Sequence, residues 1–275
     1  MYVRALAIDE STQGVSHPIV AIRLNNLAEL FRDMERMEDA EPLYQRALAI
    51  DMAALGPNHP NVATYLNNLA GLYKAREMWD KAAEHYTRAI AIDERALGPD
   101  HPDVAIYLNN LAGLHKARGR LDDAEPLYLR ALRINEEALG GDHGDMAIYF
   151  NNIALLYKAQ GKTSEAKAYY QMAIDIGEKT LGESHPQVAA RLCNLGALLV
   201  DMGDFDGADV VFQRALVIRR DAFGDENEDT RNTKEWIAHI TERRAGAVRS
   251  LPHKQVSLNV PTVDDRDAGV PAEAT

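Results

Sequence analysis

The chain has 275 residues, 46% of them hydrophobic, and a formal net charge of -12. That much apolar material excludes wholesale disorder, and the acidity argues against nucleic acid and anionic membrane surfaces as partners. A single cysteine, Cys193, excludes an internal disulfide; with no apolar run of membrane-spanning length and no secretory leader, the expected setting is the cytoplasm.

In chain order, Tyr2-Val3-Arg4-Ala5-Leu6-Ala7-Ile8 returns as Tyr44-Gln45-Arg46-Ala47-Leu48-Ala49-Ile50. Residues 1–16 therefore read as the second helix of a helical pair whose first helix is missing. Five copies of 42 residues follow without insertion, at 17–58, 59–100, 101–142, 143–184 and 185–226. They open on His17, His59, His101, His143 and His185, and four carry the proline that suits a first helical turn: Pro18, Pro60, Pro102 and Pro186. Eight residues on stand Asn25-Asn26, Asn67-Asn68, Asn109-Asn110, Asn151-Asn152 and, in the last copy, Cys193-Asn194.

Each copy predicts two helices. In the second copy Leu66, Leu69, Ala70 and Tyr73 share one helical face. The helix should stop near Glu77, where later copies have Gly119, Gly161 and Gly203. Ala82, Tyr86, Ala89 and Ile90 define the second helix, which should run to Leu97-Gly98. Residues 227–244 align with a first helix alone and read as a cap, with Lys234 and Trp236 replacing repeat residues. Residues 245–275 contain no aromatic residue and read as a disordered tail.

The recurring leucine, small residue and aromatic, then alanine, aromatic and alanine, resemble the tetratricopeptide repeat. The long Ala-Leu-Gly-Pro-Asp-His-Pro connection and the Leu-Asn-Asn-Leu-Ala core resemble its kinesin light chain variety, over residues 2 to about 244. The resemblance implies an all-α, right-handed TPR-like solenoid of stacked helical hairpins. It also implies a protein-interaction scaffold, since kinesin light chain repeats take up short cargo peptides with acidic residues around an aromatic one. Similar arrays occur widely in bacteria, often attached to signalling domains.

On the first helix of the second copy Asn68 lies about 200° from Leu66. That directs it away from the paired helix, onto the face that lines the concave surface of such arrays. Asn26, Asn68, Asn110, Asn152 and Asn194 are therefore expected to be exposed there and to bind an extended peptide backbone. The small residues beside them, such as Gly71 and Gly113, would let that backbone approach. Asn25, Asn67, Asn109 and Asn151 are expected instead to bond across to a neighbouring repeat. A basic row, Arg32, Lys74, Lys116 and Lys158, would favour an acidic partner; Val200 breaks it, and Glu29, Asp33 and Asp201 put negative charge at its ends.

No catalytic arrangement, cofactor motif or metal site is read. A zinc–nitrogen bond is about 2.0–2.1 Å, and stacked helices stand about 8–10 Å apart, so histidines of successive copies cannot share an ion. They read as helix-start residues, and Cys193 as a small substitute for asparagine. The leading function is a scaffold, not an enzyme, holding a protein or peptide, an acidic one included. The alternatives are a regulatory or sensory segment of a larger signalling protein, and self-assembly through the open N-terminal half repeat.

Overall fold

A computed structural model describes residues 2–244; the tail expected at 245–275 lies outside the described residues. These contain twelve helices and no strand. They fall into two compact units, divided between Ile134 and Asn135.

The first unit holds α1 (Tyr2–Gln13), α2 (Pro18–Asp33), α3 (Met37–Ala54), α4 (Pro60–Ala75), α5 (Trp79–Ala96), α6 (Pro102–Ala117) and most of α7 (Leu121–Leu139). The pairs α2–α3 and α4–α5 are antiparallel hairpins, and each second helix also packs on the next first helix, as α3 does on α4 and α5 on α6. The second unit holds α8 (Met146–Ala159), α9 (Thr163–Leu181), α10 (Pro186–Asp201), α11 (Phe205–Phe223) and α12 (Glu228–Arg244). Here α8–α9 and α10–α11 are the hairpins, and α12 packs on α11.

The histidines start the helices. In His17, His59, His101 and His185 the ring Nδ1 accepts the backbone N–H two residues on, at 3.1–3.2 Å, satisfying a donor the helix itself leaves open. His143 makes the same bond at 3.3 Å. Its proline is replaced by Gly144, and α8 begins only at Met146.

Alanines at the helix crossings let each hairpin close. Ala40, Ala47, Ala82 and Ala89 are fully buried, with Tyr44 and Tyr86 filling the space between them. Burying one such aromatic stabilises by about 1.5–3 kcal/mol. The last hairpin changes two residues together: Gly196 replaces the alanine, and an added Cβ there would stand 2.6 Å from the ring of Phe212, which replaces the tyrosine. Trp236 of α12 stacks on that ring, centroids 5.4 Å apart.

First helices end in a left-handed residue. Gly119, Gly161 and Gly203 take φ of 72°, 76° and 78°, but the first two copies place Glu35 (59°) and Glu77 (58°) there. A side chain in that region costs about 1–2 kcal/mol. Glu77→Gly should therefore stabilise the protein by about 0.5–1 kcal/mol, after glycine's extra unfolded-state entropy is subtracted. Gly119→Ala should destabilise it. Urea midpoints of the two variants check both signs.

Candidate functional site

The asparagine pairs meet between neighbouring first helices. In the first unit Asn110 Nδ2 donates to Asn67 Oδ1 at 2.9 Å, from α6 to α4. Asn67 Nδ2 donates to Asn68 Oδ1 at 3.2 Å. Asn68 Nδ2 donates to Asn25 Oδ1 at 2.9 Å, from α4 to α2, and Asn25 Nδ2 reaches Asn26 Oδ1 at 3.4 Å. The amides form a relay in which every bond runs the same way. In the second unit Asn194 Nδ2 donates to Asn151 Oδ1 at 2.9 Å, from α10 to α8.

This corrects the expected exposure of the second asparagine. Asn68, Asn110, Asn152 and Asn194 are 1–7% exposed. Lying opposite its own partner helix does not free such a residue, because the neighbouring first helix covers that side. Asn26, by contrast, is half-buried. The first asparagines behave as expected where the bonds are seen, since Asn25, Asn67 and Asn151 each accept from the next first helix. Tyr65, Tyr107, Leu72 and Leu114 are buried.

The basic row and the glycines prove to be two halves of one arrangement. Lys74 Nζ lies 3.4 Å from where a Cβ on Gly113 would stand, and the Tyr128 hydroxyl lies at the same distance. Arg32 Nη1 lies 3.9 Å from the corresponding point at Gly71, with the Tyr86 hydroxyl at 3.6 Å. Each basic residue thus leans onto the next first helix, into space that a side chain would fill. Sequence reading missed this pairing, although its signal is the 39-residue offset from Arg32 to Gly71 and from Lys74 to Gly113.

Acidic residues occupy both ends of the row. Glu29, at the position of Gly71 and Gly113, accepts from Asn68 Nδ2 at 2.9 Å and Asn25 Nδ2 at 3.4 Å. Burial pushes its carboxyl above the ordinary range, while Arg32 and the amides pull it down. Arg32 stands 3.8 Å from Asp33, and Lys158 pairs with Asp201 at 2.9 Å. Lys74 and Lys116 are half-buried.

Cys193 is fully buried, its Sγ 3.9 Å from Thr233 Oγ1, and burial raises its thiol pKa, which disfavours the nucleophilic thiolate. Among the described residues no group of three His, Cys, Asp or Glu side chains converges as a metal site. No described helix is long and apolar enough to cross a membrane.

The family profile for the tetratricopeptide repeat matches residues 1–53, 23–95, 75–137, 103–179 and 145–221. No curated protein matches. Among solved structures, BtubC (BKLC) from P. vanneervenii is similar at 26% identity, over 82% of this chain and 90% of that one, with a TM-score of 0.67. The putative kinesin light chain TPR-like repeats of Podosopora anserina are similar at 23% identity, over 75% and 98%, with a TM-score of 0.62. PilF of Pseudomonas aeruginosa is similar at 19% identity, over 82% and 92%, with a TM-score of 0.53. The last two likenesses concern the fold alone.

Removing one amide of the relay strands its neighbour. Asn110→Ala leaves the buried Asn67 Oδ1 without its inter-helix donor, which should cost about 1–3 kcal/mol. Asn26→Ala, at the half-buried end, should cost well under half of that. Chemical denaturation of the two variants side by side measures the contrast.

Proposed function

The chain belongs to the tetratricopeptide repeat family, whose repeats generally mediate protein–protein interaction, and on that premise we propose that it is a scaffold holding an extended acidic peptide or protein segment along its first helices. The observation that carries this reading is Lys74. Its amine is half-buried over the bare backbone of Gly113, 3.4 Å from where a Cβ there would stand, whereas Lys158 is paired with Asp201 at 2.9 Å. A partner carboxylate reaching that amine meets a cation already partly desolvated, where an ion pair is stronger than on open surface.

Within the first unit Arg32, Lys74 and Lys116 sit on successive first helices, about 8–10 Å apart. An extended chain advances about 3.3 Å per residue, so acidic residues at every third position match the row. Arg32, Lys74 and Lys116 are the ligands of the first unit in this proposal, Arg32 weakened by Asp33; Lys158 of the second unit is a ligand by itself, weakened by Asp201. Asn68, Asn110, Asn152 and Asn194 enter as the framework that spaces the row, and Asn26 as the asparagine retained for direct contact. The 42-residue copies are the binding modules. No enzymatic role is proposed, and a cytoplasmic setting belongs to the same reading.

A second reading, self-association, rests on α1. Ile8 is 51% exposed, whereas Ile50, Ile92, Ile134, Ile176 and Ile218 at the same repeat position are at most 9% exposed. Val3 on the same helix is 63% exposed. A second copy covering the Ile8 side of α1 would bury that residue, and sedimentation over a concentration series separates this reading from the first.

Lys74→Glu with Lys116→Glu should weaken binding of a peptide carrying aspartate at every third position by about tenfold. The thermal midpoint should move little, and the wild-type affinity should fall with added salt. Fluorescence anisotropy at two ionic strengths measures this. Equal binding by wild type and variant would remove the acidic-partner reading and leave the family-level role standing.

A further inference from the structure

Where a second helix meets the next first helix, an acid of the one is met by donors of the other. At the first junction Asp9 of α1 pairs with Arg23 of α2 at 2.9 Å. At the next, the fully buried Asp51 of α3 accepts from Asn61 Nδ2 of α4 at 3.0 Å. Tyr65, the repeat equivalent of Arg23, lies beside the same carboxylate.

The α9–α10 junction keeps the donors and lacks the acid. In the repeat register Arg191 stands where Arg23 and Tyr65 stand, Gln187 where Asn61 stands, and Gly177 where Asp9 and Asp51 stand. Arg191 is only 2% exposed, and its Nε and Nη1 have no hydrogen-bond partner. Its Nη2 meets Gln187 Oε1 at 3.4 Å, long for a charged donor. Its Nη1 lies 2.7 Å from where a Cβ on Gly177 would stand, so the guanidinium has closed onto bare backbone. The next residue of α9, Glu178, is held by Arg214 at 2.6 Å.

We propose that the α9–α10 junction is a binding site for one small carboxylate, of the size of formate or acetate, which takes the place of the aspartate side chain that Gly177 lacks, with Arg191 and Gln187 as its ligands. A guanidinium presents its N–H groups as a planar fork that matches the two oxygens of a carboxylate, and two of the three nitrogens here lack an acceptor. The entering anion lifts the guanidinium off the Gly177 backbone. It also replaces the Gln187 oxygen at Nη2, and the Gln187 amide then turns its Nε2 toward the ligand, as Asn61 does toward Asp51.

Two further features favour an anion. Arg191 reaches back to Gln187 in the first turn of α10, where the positive end of the helix attracts negative charge and disfavours a lone cation. Desolvation lowers the Arg191 pKa to about 10 with no carboxylate holding it up, which is the behaviour of a cation buried without a counter-charge. Burial between two helices restricts the ligand to a free small acid, because an aspartate of a partner chain would bring a backbone into the junction with it.

The test is urea unfolding of the whole chain in rising sodium formate, the ionic strength held constant with sodium chloride, for wild type, Gly177→Asp and Arg191→Tyr. Half-saturation of the wild type should fall at about a millimolar, the limit for a ligand of three heavy atoms. Its folding equilibrium constant should then rise by up to about a hundredfold at 100 mM formate. Acetate should act similarly, and an acidic peptide should not reproduce the effect. Gly177→Asp supplies the carboxylate from within, displacing only the mobile end of Arg191. It should be more stable than wild type without formate and should no longer respond to it. Arg191→Tyr installs the residue of the three preceding copies and should also lose the response. In the wild type the Arg191 Nε–H resonance should shift over the same formate range. A wild type that gains nothing from formate over chloride overturns the proposal, as does a response that survives in Arg191→Tyr. Should that variant not fold, a response retained in Gly177→Asp overturns it equally.

Discussion

An amide sealed between two helices has to find a partner, and that requirement holds the first helices of this protein in place. In the first unit the relay from Asn110 through Asn67 and Asn68 to Asn25 joins α6, α4 and α2 by bonds of 2.9–3.2 Å. The leucines and alanines around it supply most of the stability, but apolar contacts tolerate sliding. The amides do not. A slip of one helical turn, about 5.4 Å, would break the inter-helix bonds and leave buried donors and acceptors unmatched. Hydrophobic burial makes the helices associate, and the relay sets the register in which they do so.

The charged face inherits that register. Because α4 and α6 are fixed against each other, the Lys74 amine ends over Gly113, and because α2 and α4 are fixed, Arg32 ends near Gly71. Where the first copy has Glu29 in the glycine position, the carboxylate is drawn into the relay by Asn68 and Asn25. The negative charge there is tied to the framework, and Arg32 is left beside Asp33. The row is thus uneven. In the first unit Arg32 stands beside Asp33 and the Lys74 amine rests over the Gly113 backbone, and in the second unit Lys158 is paired with Asp201.

Much of this was legible in the sequence. The 42-residue period, the histidine caps, the alanine–tyrosine crossings and the burial of Tyr65 and Tyr107 follow from rules that act within one hairpin or between hairpins of the same kind. The asparagines were half legible. A helical wheel locates Asn68 opposite Leu66, but it knows only the helix that Leu66 meets; what lies on the other side depends on the neighbouring copy. Glu35 and Glu77 hid the left-handed helix ends for a related reason. Later copies declare that conformation with glycine, whereas the first two impose it on a residue that does not prefer it.

The contrast between the relay and the second-helix junctions shows how a repetitive chain can differ along its length. The amide pair is nearly constant because within each unit it solves the same problem. The junction residue varies: an ion pair at Asp9–Arg23, an amide at Asp51–Asn61, a buried carboxylate at Asp93, and an arginine facing a glycine at Arg191–Gly177. Arg191 illustrates the energetics. Buried, with Nε and Nη1 unpaired and only a long 3.4 Å bond from Nη2 to Gln187, it has its pKa pulled down to about 10 by desolvation. An unpaired buried charge costs far more than a well-matched pair gains. A junction whose buried charge is poorly matched contributes less to stability than a matched one, so copies that share one repeat differ in how firmly they are joined.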